Sequence, residues 1–354
     1  MIFEFITSSS LIFESGVELF DSSELLGPIS ILAFIGIALW MNRSSNFKGY
    51  SFSFMVLAAV TTALNYPIYF VQLGSFEMKL LIVPLLQIIM FGMGTTLSLQ
   101  DFYGVLRMPK GVLVGVICQF TIMPILGFGI ATLFGFPPEI AAGIILIGSS
   151  PSGLASNVMS YLAKANVALS VTLTTVATLT APLMTPLLMK FLAGSLIPID
   201  TFGMMISILK MVILPVLLGL IVHHIFKAQS EFLDRVLPKV SMAAITFIIM
   251  IITAAGSDNL RSMGLILVVA AILHNALGYF LGYWSGRLVG MQEKECRTIA
   301  LEVGMQNGGL ASGIAMEMGK ISTLGLAAVV FGPWMNISGS VLASWWRTKP
   351  LTGR

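Results

Sequence analysis

Glu302 is the one acidic residue that falls deep inside an apolar stretch of this 354-residue chain. A carboxylate at bilayer depth is costly to keep, so its presence points to chemistry. The side chains that can join it are oxygen donors: Gln306, Ser156, Asn157 and Gln119. Ser170 and Thr174 lie four apart and put two hydroxyls on one helix face. Alone, such a pair more often bonds back to its own helix. Beside a carboxylate and a helix break it reads as a pair of ligands. No Cys/His cluster offers a transition-metal site, so the ion this set suits is hard, monovalent and oxygen-bound. Cys118, in an apolar span, and Cys296, in a charged loop, read as unpaired thiols, and His274 reads as structural. An intramembrane enzyme could be assembled from Glu302 and the hydroxyl of Ser156 or Ser170, but no His or Lys converges on them.

Two segments must carry these groups, and both are unusual for membrane helices. One reads Gly148-Ser149-Ser150-Pro151-Ser152-Gly153, with Ser156-Asn157 just beyond. The other reads Glu302-Val303-Gly304-Met305-Gln306-Asn307-Gly308-Gly309. Gly and Pro break helices. Unwound backbone is tolerated at the bilayer midplane only where it is buried in protein or lines a cavity. Broken helices at matching positions of two halves mark the binding site of a secondary transporter. The half-helix beyond each break presents free N–H groups and a positive dipole end, which suits an anionic head group. Asn307 and Asn336 can hydrogen-bond a carboxylate.

The rest of the chain supplies a membrane scaffold. Hydrophobic residues make up 56% and charged residues 10%, against roughly 25% charged in soluble proteins. That excludes a soluble enzyme, a nucleic-acid binder and a disordered chain. Apolar runs predict eleven spans: 27–42, 50–72, 78–99, 110–134, 138–163, 167–194, 204–226, 239–256, 262–286, 293–319 and 323–346. With these spans, 14 of 19 basic residues fall on one side and four (Lys79, Lys190, Arg261 and Lys320) on the other. The positive-inside rule then puts the C-terminus inside and the acidic N-terminus outside. The net charge of +3 reports this topology. The short loops and the lack of a basic leader favour a multi-pass protein of a bacterial cytoplasmic membrane.

Ser152-Gly153-Leu154-Ala155-Ser156 reappears as Gly308-Gly309-Leu310-Ala311-Ser312. Gln119 lies 34 residues before Gly153, and Asn275 lies 34 before Gly309. The copies are five spans apart, and an odd offset inverts the second half. The expected fold is therefore all-α and polytopic. It has two inverted five-helix repeats, 49–195 and 204–347, with two of the ten core helices broken and crossing. Residues 1–48 add an acidic segment and an extra N-terminal transmembrane helix, and 348–354 form a cytoplasmic tail.

The chain resembles the bile acid:sodium symporter family over nearly all of 50–347. The likeness rests on Phe91-Gly92-Met93-Gly94, on Gln119-Phe120 with Met123-Pro124, and on Pro151 through Met159 with Tyr161-Leu162-Ala163. It continues through Val167-Ala168-Leu169-Ser170-Val171, Glu302 through Asn307, and Asn336-Ile337-Ser338-Gly339. The resemblance implies panel and core domains drawn from both repeats, and two sodium sites. Ser156, Asn157, Ser170, Thr174 and Glu302 match the first. Gln119, Glu302 and Gln306, with the carbonyls of Val303 and Met305, match the second. It places Asn307 and Asn336 near the substrate, with Ser152 and Leu154 on the same side.

Two positions depart from the family pattern. Leu154 stands where a hydroxyl is common, and Met335 where a histidine is common, so the substrate cavity becomes more apolar. The implied function is sodium-coupled import of an organic anion by alternating access. That anion is a small monocarboxylate or a bile-acid-like amphipathic anion, with two sodium ions as coupling ions and no further cofactor. The expected partners are the anion, sodium and the lipid bilayer, with no nucleic acid. The alternatives are a proton-coupled carrier or cation/proton exchanger of related fold and, less favoured, an intramembrane enzyme or a non-transporting sensor.

Overall fold

A computed structural model describes residues 22–44, 51–225 and 230–351. The chain begins with α1 (Ser22–Arg43), α2 (Ser51–Asn65) and α3 (Ile68–Val71). A small antiparallel hairpin follows, β1 (Gln72–Leu73) with β2 (Phe76–Glu77), pairing Gln72 with Glu77. A 3-10 turn (Met78–Leu81) leads into α4 (Ile82–Thr96) and α5 (Leu99–Arg107). Next come α6 (Pro109–Phe134), α7 (Pro138–Ser149), α8 (Ala155–Leu162) and α9 (Val167–Ala193). Then α10 (Thr201–Ile208) joins α11 (Leu214–Ile225) through a π-turn at Leu209–Ile213. The chain continues through α12 (Ser230–Ala255), α13 (Ser257–Leu288), α14 (Glu293–Gly304), α15 (Gly308–Glu317) and α16 (Leu326–Thr348).

Eight helices among the described residues are long and apolar enough to cross a membrane. They are α1, α4 with its 3-10 turn, α6, α9, α10 with α11, α12, α13 and α16. The other three expected spans differ in form. The stretch 50–72 is interrupted after Asn65, because Pro67 has no N–H to continue the ladder, and after the single turn of α3 the chain enters the hairpin. The stretches 138–163 and 293–319 are each split into two short helices, at the Gly-, Ser- and Pro-rich segments that the sequence marked as breaks.

Helix boundaries follow local chemistry. Pro109 opens α6, and Gly135 closes it in the left-handed conformation at φ +63°. Asn166 caps α9 by accepting from Leu169 N at 3.1 Å, and Asp200 caps α10 through Gly203 N at 2.9 Å. Gln292 and Glu295 form a capping box at α14. This box places Cys296 inside a helix, fully buried, rather than in the loop that its charged neighbours suggested. A further difference is α5, a short helix packed on α9 where the sequence reading had a loop. The acidic residues Glu4, Glu14, Glu18 and Asp21 lie outside the described residues.

The helix contacts fall into two sets. α4 packs on α11 and α12, and α12 on α2, with α1 against α2. α6–α9 and α13–α16 pack together around the two split elements. Within the first set, α4 and α11 meet backbone to backbone. A Cβ at Gly94 would overlap the Val216 carbonyl, and one at Gly219 would overlap the Phe91 carbonyl. This close approach is what the Phe91-Gly92-Met93-Gly94 stretch permits.

Candidate functional site

The two interrupted segments cross and pair. Ser152 and Gln306 form an isolated antiparallel bridge. Gly153 N donates to Met305 O at 3.1 Å, and Asn307 N donates to Pro151 O at 2.8 Å. Unwinding a helix frees carbonyls that must find donors when buried. Several of the freed carbonyls here are met from a different element. Thr185 of α9 donates to Ser149 O at 2.7 Å, and Gln119 of α6 to Ser150 O at 2.9 Å. Asn275 of α13 donates to Gly304 O at 2.8 Å. Close packing needs glycine at the crossing, since a Cβ at Gly153 would come within 2.9 Å of the Gln306 carbonyl oxygen.

Glu302 lies one turn before the second break and is 2% exposed. Four hydroxyls from the first break, α8 and α9 converge on it. Ser156 and Ser170 donate to Oε1 at 2.6 and 2.5 Å, and Ser152 and Thr174 to Oε2 at 2.6 and 2.9 Å. The Asn157 Oδ1 atom lies 2.8 Å from Ser170 Oγ and 3.2 Å from Thr174 Oγ1. Ser156 also reaches Gly153 O at 2.8 Å, and Thr174 reaches Ser170 O at 3.1 Å.

A proton count shows what this cluster can do. Ser156, Ser170 and Thr174 carry one hydroxyl proton each. Their seven contacts to oxygen acceptors share those three protons. With the Asn157 oxygen facing the hydroxyls and Glu302 ionised, three protons leave most of these contacts either shared between acceptors or set oxygen against oxygen, which is repulsive. A small hard cation among these oxygens would turn that repulsion into coordination.

A second oxygen-bearing group sits at the crossing itself. Gln119 Nε2 donates to Gln306 Oε1 at 2.7 Å, and Gln306 Nε2 donates to Val303 O at 2.7 Å. Gln119 Oε1 is buried without any donor. An orphaned buried acceptor costs about 1–3 kcal/mol, and a cation would relieve it. The Met305 carbonyl stands next to this group in the bridge to Gly153. All four hydrogen bonds of the Glu302 carboxylate go to the hydroxyl cluster. Gln119, Gln306 and the Val303 carbonyl are thus together, while the Met305 carbonyl is taken by Gly153 N and Glu302 faces the other group.

The residues expected near a substrate are placed as follows. Asn307 is buried and caps α15, accepting from Leu310 N at 3.0 Å. Asn336, half-buried on α16, donates to its own helix at Gly332 O, 2.9 Å away. Leu154 is half-buried at the start of α8 and supplies no side-chain cap. Ser152 belongs with the carboxylate cluster through its bond to Glu302. Neither that contact nor the role of Thr185 follows from the spacing of residues alone. Ser152 carried a signal, since a hydroxyl inside a break next to an intramembrane carboxylate has few other partners. His274 is buried, with Nε2 2.9 Å from Met123 O, as a structural side chain would be.

A split, bridged pair of helices holding a buried carboxylate among oxygen donors is the arrangement of a membrane carrier coupled to a cation. Residues 83–263 match the family model described as the Sodium Bile acid symporter family. The chain is 41% identical over 310 residues to the "Uncharacterized sodium-dependent transporter YocS" of Bacillus subtilis, covering 87% of this chain and 94% of that one. It is 37% identical over 262 residues to the "Probable sodium/metabolite cotransporter BASS1, chloroplastic" of Arabidopsis thaliana, covering 74% and 65% of the two chains. It is 34% identical over 240 residues to the ileal sodium/bile acid cotransporter of Oryctolagus cuniculus, covering 65% and 67%. The protein belongs to the sodium/bile acid symporter family. It is a multi-pass, sodium-dependent solute cotransporter and not an enzyme.

Proposed function

We propose that the protein imports an organic anion together with two sodium ions. The observation that carries this reading is the Glu302 carboxylate, buried and ringed by four hydroxyls with too few protons for their contacts. The first sodium binds among Ser156, Asn157, Ser170, Thr174 and Glu302. The second binds among Gln119, Gln306 and the carbonyls of Val303 and Met305, and a rotation of the Glu302 side chain completes its shell. The first ion ties the first broken helix and α9 to the second broken helix, and the second ion ties the second broken helix to α6, so together they fix the crossing in one geometry.

Fixing the crossing presents the N-termini of α8 and α15 to an anion, with Asn307 and Asn336 beside it. The substrate is an organic anion, either a small monocarboxylate or a larger amphipathic anion of the bile-acid type. Leu154 and Met335 favour an apolar body behind the charged head. Two sodium ions with one monoanion carry one net charge inward, about 2.3 kcal/mol per 100 mV of membrane potential.

The architecture behind this reading is a pair of inverted five-helix repeats with a leading extra helix. The two amides that the sequence paired by spacing support it. Gln119 and Asn275 each donate to a carbonyl at a break, Ser150 O and Gly304 O. The protein sits in the cell membrane with its C-terminus inside, as the basic side requires, and rocking of one helix set against the other gives alternating access. Glu302→Gln keeps the shape and removes the charge. It is expected to abolish sodium-stimulated uptake and the sodium-specific rise in thermal midpoint. Retained sodium coupling would refute the assignment, and a strong pH dependence with no sodium effect would favour a proton-coupled carrier.

A further inference from the structure

From Asn275, whose amide holds the Gly304 carbonyl at the second break, α13 and α16 flank a groove of about 1040 Å³ that runs away from the crossing. Its two walls run in the same direction, since Ser338 bonds Asn275 at 2.6 Å and Trp346 stacks on Tyr283 with centroids 5.9 Å apart. It extends from Asn275 to Arg287 on α13 and from Trp334 on α16 to Lys349 just past its end. At 1.5 Å per residue those walls are about 18 and 22 Å long. One leaflet has about 15 Å of hydrocarbon, so the groove matches a leaflet plus its head-group layer.

The wall chemistry changes along that length. Phe280, Trp284, Val341 and Trp345 offer exposed apolar surface along the groove. At the end where both helices reach the basic side, three cations (Arg287, Arg297 and Lys349) face one carboxylate, Glu293. That leaves the rim two charges positive. Glu293 is already held by Arg297 Nε at 2.8 Å and by the Tyr283 hydroxyl at 2.7 Å. Arg297 is 1% exposed and spends its other N–H groups on the carbonyls of Ala163, Trp346 and Pro350. Arg287, 3.9 Å from Glu293, and Lys349, 5.4 Å from the Trp345 ring centroid, are exposed and open to an anion.

We propose that this groove is a binding site for an anionic phospholipid of the leaflet on the basic side. One acyl chain lies along the aromatic wall, and the phosphate sits between Arg287 and Lys349. The length match and the charge at one end select a lipid over a free anion, which would leave the apolar wall unused. Its head-group cation Arg287 lies about 18 Å along α13 from Asn275, so the proposal does not depend on the ion sites.

The test uses the full-length protein, purified in detergent and stripped of lipid. Phosphatidylglycerol and phosphatidylcholine with the same acyl chains are titrated while the thermal midpoint is followed. Two cations at the head group give an expected preference for phosphatidylglycerol of about thirtyfold in half-saturating concentration. The double variant Arg287→Gln/Lys349→Gln is expected to bring that preference close to one. The variant Lys79→Gln/Lys190→Gln, with both changes on the opposite side, is expected to leave it intact. Equal titrations of the two lipids by the wild-type protein would overturn the proposal without any variant. So would an undiminished preference in the Arg287/Lys349 variant, or an equal midpoint rise with inorganic phosphate alone.

Discussion

Thr174→Val is a nearly isosteric change that removes one hydroxyl from the cluster around Glu302. Thr174 Oγ1 lies 2.9 Å from Glu302 Oε2, 3.2 Å from Asn157 Oδ1 and 3.1 Å from Ser170 O. It has one proton for these three acceptors, so the folded protein loses one hydrogen bond and not three. If Thr174 is a sodium ligand, the bound state also loses a coordinating oxygen. A hydrogen bond to a charged group is worth about 1.5–3 kcal/mol, and the lost ligand is placed on the same scale, which corresponds to about a ten- to hundredfold rise in half-saturating sodium.

The neighbouring residue provides the control. Thr175 is equally buried, but its hydroxyl bonds back to Val171 O at 2.8 Å and turns to another face of α9. Thr175→Val costs α9 a similar back-bond without touching the cluster. Without sodium, Thr175→Val is expected to melt within about 1 kcal/mol of the wild type, and Thr174→Val to lose about 1.5–3 kcal/mol with its bond to Glu302. Only Thr174→Val is expected to need more sodium, in both uptake and the sodium-dependent thermal shift. A half-saturating sodium concentration within twofold of wild type, in a folded Thr174→Val protein, would remove Thr174 from the ion site. Equal effects of the two variants would reduce the result to helix packing.

Two further expectations concern the scaffold. Asn275→Leu conserves approximate volume but strips the Gly304 carbonyl of its donor. It is expected to cost about 1–3 kcal/mol of stability in a denaturation experiment and to lower uptake, because the freed carbonyl adjoins the crossing. Gly94→Ala pushes a methyl into the Val216 carbonyl and is expected to destabilise by about 1–3 kcal/mol. Gly129→Ala on α6 meets nothing within 4 Å and is expected to be neutral or slightly stabilising in the same melt.

Much of this protein is legible from residue order alone, because hydrocarbon imposes simple rules. Apolar runs of the right length become helices, since no other local structure satisfies its own backbone in lipid. Pro151 and the glycines around 153 and 308 mark where helices end, since they cannot continue the ladder or gain little from it. Glu302 stands out because burying a carboxylate in a membrane needs compensation. The amides at 119 and 275 could be paired by spacing before either was seen to bond a carbonyl.

What residue order could not supply was which groups meet across separations of tens to more than a hundred positions. That Ser152 turns to Glu302, that Thr185 satisfies Ser149, and that the breaks pair through Gly153 and Asn307 depend on how α6, α9 and α13 pack. A lone hydroxyl in an apolar helix looks the same in sequence whether it bonds back one turn, like Thr175, or out to a carboxylate, like Thr174. The groove between α13 and α16 was equally hidden, because its cations and aromatics are interleaved with lipid-facing residues on two separate helices. Local chemistry decides where a chain bends and what it must bury. Only the packed structure decides which buried group finds which partner.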